Sequence, residues 1–278
     1  MVSVSSATTN GVYTSQLNRT ERDATKSLNQ VSSGKAIHRA SDNAAGLAIA
    51  TQLSSDVTSL RQSGTNLLQG SSVLQTADGA LEQTGNILNR MKELSTQAQS
   101  GSLDSNSRSA VNDEYQNLKS ELDKISDNTS FNGQKLVDGS YNNNFQAGAL
   151  GSNVINADLT AIDSSGAGLG LTAGGGGSAT ALATPASAQA TSAELDTAID
   201  RVSSYRAEIG SLQSSLSTRS DVVDSETENT ISAQSAIMDA DIGKAMSEFK
   251  NSNLMNETAL AAAAQGNKMA SSILKLVR

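Results

Sequence analysis

Leucine recurs every seventh residue at Leu53, Leu60, Leu67, Leu74, Leu81 and Leu88. Seven residues make two helical turns, so these side chains share one stripe and predict a continuous helix over residues 44–98. Beside the stripe runs a row of mostly small residues: Val57, Gly64 and Ser71, then Ala77, Thr84, Met91 and Ala98. Its offset from the leucines passes from four residues to three. Small side chains admit a neighbouring backbone, so this rod is expected to pack lengthwise against another helix. A second series with the same period supplies that partner: Leu195, Val202, Ile209, Leu216 and Val223, continued by Thr230 and Ile237. The two rods are expected to run antiparallel and to bury both series.

The flanking segments are weaker. Residues 1–33 carry Leu17, Ala24 and Val31 at the same spacing, with Leu28 beside them. Ordering a backbone costs about 1–2 kcal/mol per residue, and so few large side chains do not offset that alone. The segment is therefore expected to be disordered in the monomer and to fold only against partners. At the other end, residues 239–278 form an Ala-rich helix with one apolar patch at Ile242, Met246 and Phe249 and another at Met269, Ile273 and Leu276. It too is under-provisioned to fold alone, and the two ends are expected to lie side by side.

Between these elements the chain is punctuated. Residues 34–43 break the pattern at Gly34 and form a connector, with Ser41 or Asp42 expected to cap the long rod. A shorter helix is expected from Asp104 or Ser105, with Val111, Tyr115, Leu118, Leu122 and Ile125 on one face. Asn132-Gly133 predicts a turn with positive φ. Residues 140–190 are rich in Gly, Ala, Ser and Asn; residues 145–150 and 154–162 are expected to pair as short strands, and residues 174–178 to act as a link. The fold class is mainly α, with long antiparallel rods in an elongated bundle and a small β-hairpin. The divisions fall at 1–43, 44–138, 139–190, 191–238 and 239–278.

Composition narrows the function classes. Only 3% of the 278 residues are aromatic and tryptophan is absent, which suits helical packing on Leu, Val, Ile and Ala. A net charge of −8 without a basic stripe argues against nucleic acid. Cysteine is absent, which removes thiol catalysis, disulfides and thiolate metal sites. No apolar run approaches membrane-spanning length, and no cleavable leader pattern opens the chain, so membrane insertion is not expected. His38 is the only histidine, with Asp42 four residues on; in a polar connector its structural reading outweighs a metal or nucleophile role. Gly166, Gly168 and Gly170 follow no clear strand, which disfavours a phosphate cradle. No catalytic, cofactor or metal constellation is expected.

Distinctive sequence words stand in both halves, different ones in each. The first half holds Ser32, Ser33, Gly34, Ile37, Ala40, Asp42 and the run from Ala44 to Ile49; then Gln75, Thr76, Ala77, Asp78, Gly79, Ala80 and Leu81; then Arg90, Met91, Lys92, Glu93, Leu94; then Phe131, Asn132, Gly133. The second holds Gly210, Gln213, Asp239, Ala240, Asp241, Gln265, Asn267 and the closing Leu276, Val277 and Arg278. Together these resemble the bacterial flagellins in a short form with only the two inner domains. Asn43 stands where that family commonly has Asp.

The resemblance implies a structural subunit that polymerises into the flagellar filament for swimming, is exported unfolded by the flagellar type III apparatus, and ends up secreted. It implies a terminal coiled coil built from Leu17, Leu28, Val31, Ile242, Met246, Phe249, Met269, Ile273 and Leu276. Implied partners are other copies of the chain or other flagellins, an export chaperone at the C-terminal helix, and filament cap and hook-junction proteins. A Toll-like innate receptor of the host is implied at Asn89, Arg90, Glu93, Leu94, Gln97 and Glu114, a cluster that also reads as a subunit interface. Two alternatives stand beside the filament reading: a hook–filament junction protein, and a flagellin-like surface protein binding an extracellular polymer through residues 139–190.

Overall fold

The computed structural model describes residues 2–171 and 178–276, with side chains from residue 11 onward except 270 and 273–276. Its helices are α1 (Val2–Ser33), α2 (Ala44–Gln99), α3 (Ser105–Asn128), α4 (Pro185–Met238) and α5 (Ile242–Leu276). Its strands form two antiparallel pairs, β1 (Ser130–Phe131) with β2 (Gln134–Lys135), and β3 (Asn142–Gln146) with β4 (Val154–Asp158). The chain forms two compact units, residues 58–227 and residues 1–57 with 228–278. The divisions cut through α2 and α4, whereas the sequence reading put them at the connectors.

In the unit of residues 58–227, Leu60, Leu67, Leu74, Leu81 and Leu88 of α2 are buried, as are Leu195, Val202, Ile209, Leu216 and Val223 of α4. The two helices run antiparallel. A Cβ built on Gly64 would touch Val223, and one on Gly85 would touch Val202. The step from 64 to 85 is twenty-one residues forward, matched by twenty-one back from 223 to 202. Arg206 Nε to Asp78 Oδ1 at 2.8 Å, and Ser95 Oγ donating to the Ala188 carbonyl at 2.7 Å, keep the same register. Such heptad burial keeps one seam facing the partner over many turns.

The second row of α2 differs from the sequence reading. Val57 is buried as expected, four residues after Leu53, but the change of offset comes at once: Ser63, Gly70, Ala77, Thr84, Met91 and Ala98 are buried, each three residues after a leucine of the first row except Ala98, which follows the buried Ser95. Gly64 and Ser71 lie at its margin. The cause is the β3–β4 hairpin. Ser63 Oγ donates to the Gly148 carbonyl at 3.0 Å, and a Cβ on Gly70 would meet the Phe145 ring at 3.1 Å. A serine and a glycine are buried there because a distant loop covers them.

Helix α3 starts where Asp104 accepts the Ser107 N–H at 2.8 Å, an N-cap. Tyr115 and Leu122 are buried, with Val111 and Leu118 packed at the edge of the same core. Asn132 (φ 50°) and Gly133 (φ 80°) close the β1–β2 hairpin with two positive φ values, as a type I′ turn requires. The second hairpin pairs Asn142 with Asp158 through Gln146 with Val154. It starts three residues before the expected apolar run because Asn142 and Asn144 form part of its solvent face, where Asn156 Nδ2 donates to both at 3.0 and 2.8 Å. Residues 174–177 of the expected Gly-rich link lie outside the described residues.

In the other unit the connector after α1 turns at Gly34 (φ 72°) and pairs back onto the end of α4. The Ala36 N–H donates to the Met238 carbonyl at 2.6 Å, and that of Ala240 to Gly34 at 2.9 Å. The cap of α2 is Asn43, whose Oδ1 accepts the Gly46 N–H at 2.9 Å, and not Ser41 or Asp42. Asn caps as well as the Asp common in flagellins. Asp42 instead closes the connector by accepting the N–H groups of His38 and Arg39 at 3.2 and 2.9 Å. A Cβ on Gly46 would meet Ile37 Cδ1 at 2.7 Å and Asn43 Nδ2 at 2.8 Å, so a side chain there would displace the Ile37 tip or the Asn43 cap.

Candidate assembly interface

Helices α1 and α5 pack against each other. The least exposed residues of α1 include Tyr13, Leu17, Thr20, Ala24, Ser27 and Val31, spaced four and three alternately. Those of α5 are Ala245, Phe249, Ser252, Asn256, Ala259, Ala263 and Gly266, with the same alternation. This is a heptad seam filled mostly by small or polar residues. Thr20 Oγ1 donates across it to Asn256 Oδ1, and α5 starts with Asp241 Oδ1 accepting the Lys244 N–H at 3.0 Å. Small residues bring two helices close but bury little apolar surface.

The large apolar residues lie elsewhere. Val12, Leu28, Ile242, Met246, Leu254, Met255, Leu260 and Met269 are all exposed, several by more than half. The terminal helices pair as expected, but the seam takes only some of the expected residues. Leu17, Val31 and Phe249 are in the seam, half-buried, whereas Leu28, Ile242, Met246 and Met269 are outside it. Leu28 follows Ser27, and Met246 follows Ala245, so each is rotated about 100° off the seam by its helix. The side chains of Ile273 and Leu276 lie outside the described residues. These helices thus combine a thin internal core with several apolar side chains left in water.

Asn89, Arg90, Glu93 and Gln97 are exposed on α2, and Glu114 is exposed on α3. Arg90 joins the two helices, with Nη1 2.9 Å from Glu93 and Nη2 2.8 Å from Glu114, and these bonds hold its guanidinium above its ordinary pKa. Leu94 departs from this set. It is only 1% exposed and sits in the core three residues after Met91, so it cannot belong to an accessible patch. Leu53, expected in the rod seam, is half-buried in the other unit.

One structural residue escaped the sequence reading. Arg108 is buried, and its guanidinium donates to the carbonyls of Ala98, Ser100 and Leu103, satisfying the open end of α2. Its position four residues after an N-cap Asp, facing the end of the preceding helix, was the available signal. Among the described residues no cluster of three His, Cys, Asp or Glu side chains could hold a metal ion, and no helix is long and apolar enough to cross a membrane.

Two long helices paired in heptad register, with a terminal helix pair whose apolar residues face outward, define a subunit of a helical self-assembling structure. Residues 4–142 match the bacterial flagellin N-terminal helical region, and residues 193–277 the C-terminal helical region. The chain is 35% identical to a flagellin of Halalkalibacterium halodurans, over 91% of each chain. It is 34% identical to a flagellin of Bacillus subtilis, over 91% of this chain and 92% of that one. The crystal structure of Bacillus cereus flagellin superposes with a TM-score of 0.50 at 31% identity, over 61% of this chain and 94% of that one. The chain belongs to the bacterial flagellin family. It is a structural subunit of the flagellar filament, the extracellular appendage of bacterial motility.

Proposed function

We propose that the exposed apolar residues of α1 and α5 are covered by neighbouring copies of the chain, so that assembly supplies the core these helices lack. The observation that carries this is the inversion in the pair: small and polar residues face inward, and Leu254, Met255, Leu260 and Met269 face out. The rods pack alongside one another, and the exposed face of Asn89, Arg90, Glu93, Gln97 and Glu114 forms a further subunit contact. A thinly cored helix pair also opens at low cost, which fits passage as an unfolded chain through a type III export channel to the cell exterior. The same apolar residues of α5 give an export chaperone its grip before assembly, and cap and hook-junction proteins theirs at the filament ends. The exposure of the Arg90 face is consistent with its being read by a host Toll-like receptor. The protein works by assembly, without catalysis.

The test is growth from seeds. Purified subunit added to sheared filament fragments is expected to extend them into long filaments, scored by electron microscopy. Folded subunit that leaves the seeds at their starting length overturns the reading.

A further inference from the structure

A cleft of about 790 Å³ lies between α1 and the connector, walled by Arg22, Lys26 and Asn29 on one side and His38, Arg39 and Asp42 on the other. Its acids are Glu21 and Asp42, and Asp42 is committed. Its Oδ2 accepts the Arg39 and His38 N–H groups, and these bonds, helped by the nearby Lys26 and Arg39 charges, hold its carboxyl below the usual range. Arg22 Nε is turned to the Asn18 carbonyl at 2.9 Å. Among the described residues neither Lys26 nor Arg39 has a carboxylate within 4 Å; the ion pairs lie elsewhere. The cleft therefore sets three cations against two carboxylates, an excess of one positive charge, on a chain whose net charge is −8.

The matching surface is on α4. Residues 221–228 hold Asp221, Asp224, Glu226 and Glu228, four exposed carboxylates in eight residues. Asp221, Asp224 and Glu228 share one helical face through steps of three and four. Glu226 has Arg219 at 3.7 Å; the other three have no cation within 4 Å among the described residues. Many acids of α2 and α3 are already matched, Asp78 and Glu82 by Arg206, Glu114 by Arg90 and Glu121 by Lys124. Val222 and Ile231, both exposed, flank the acidic face with apolar contact.

We propose that the cationic cleft of one copy receives the Asp221, Asp224 and Glu228 face of a second copy. The contact rests on the reading of the chain as a homopolymer subunit and names one of the interfaces that reading requires. Electrostatic pairing of this kind sets register and raises association rates more than it adds bulk affinity.

The experiment is a charge exchange in full-length chains, read as critical concentration for growth on filament seeds. Lys26→Glu with Arg39→Glu, and separately Asp224→Lys with Glu228→Lys, should each raise it about tenfold or more. The four changes together should restore growth towards wild type. The milder Lys26→Gln with Arg39→Gln keeps the test open should the reversals disturb folding, and circular dichroism of each monomer reports that. Reversals without effect, or losses that the combined variant does not recover, overturn the cleft while wild-type growth stands. Failure of the wild type to grow would instead overturn the homopolymer reading.

Discussion

Two leucines separate folding from assembly. Leu74 is 0% exposed at the centre of the α2–α4 seam, whereas Leu260 on α5 is 59% exposed. Truncating a fully buried leucine to alanine costs about 3–5 kcal/mol, lost transfer energy plus an unfilled cavity. For a domain of this size each kcal/mol lowers the melting temperature by about 2–4 °C, so Leu74→Ala should lower it by about 6–20 °C. Leu260→Ala removes surface that water already touches, and the monomer should melt within about 2 °C of wild type, since exposed substitutions stay within about 0.5 kcal/mol. In the filament the order reverses. Burying a whole leucine is worth about 1.5–3 kcal/mol, and the exposed three-fifths of Leu260 about 0.9–1.8 kcal/mol. That corresponds to a rise of about five- to twentyfold in the critical concentration for seeded growth. Scanning calorimetry of monomers and sedimentation of seeded mixtures read the two effects independently. Should Leu260→Ala melt the monomer as Leu74→Ala does, or leave the critical concentration unmoved, the exposed face of α5 that carries Leu260 is not an assembly surface.

Amide exchange in the monomer should be fast along α1 and α5 and slow along residues 60–95 of α2, because the terminal pair has a thin core; equal protection would contradict this. Thr84→Val should raise stability by about 1 kcal/mol, since Thr84 Oγ1 is buried without a hydrogen-bond partner among the described residues and valine keeps the shape; a lower melting temperature would show that the hydroxyl is satisfied. The Asp104 carboxyl is held below 3.8 by its hydrogen bonds from Ser107, so its stabilising share is present above that pH and is lost as pH falls through the folded-state value. Asp104→Asn keeps a cap but no titration, and should make the loss of melting temperature between about pH 5 and about pH 2.5 shallower than in wild type.

The rods were legible because burial along a paired helix is periodic, and a period of seven survives in the letters alone. The α4 residues from Leu195 to Val223 and the leucines from Leu60 to Leu88 fall on the buried seam for that reason, whereas Thr230 and Ile237 are only half-buried. What was not legible came from contacts remote in sequence. Ser63 and Gly70 read as neutral positions, and only the hairpin carrying Phe145 and Gly148 makes them core. Arg108 reads as an exposed charge until the carbonyls at the end of α2 are seen to need donors. Leu94 was grouped with its exposed neighbours, although three residues from Met91 put it on the inner face.

The terminal helices expose the deeper limit of a periodicity argument. A hydrophobic period says which residues share a face, not which molecule covers that face. In α2 and α4 the apolar face and the intramolecular seam coincide, so the simplest inference holds. In α1 and α5 they largely separate: beside Leu17, Val31 and Phe249 the seam follows Thr20, Ala24, Ser27, Ala245, Ser252 and Ala259, while Leu28, Met246, Leu254 and Leu260 lie off it. Two helices paired through small residues still owe their apolar surface a partner, because leaving several large side chains in water costs more than the seam recovers. The mismatch between where a helix is apolar and where it is buried is thus itself the mark of a chain whose core is shared among copies.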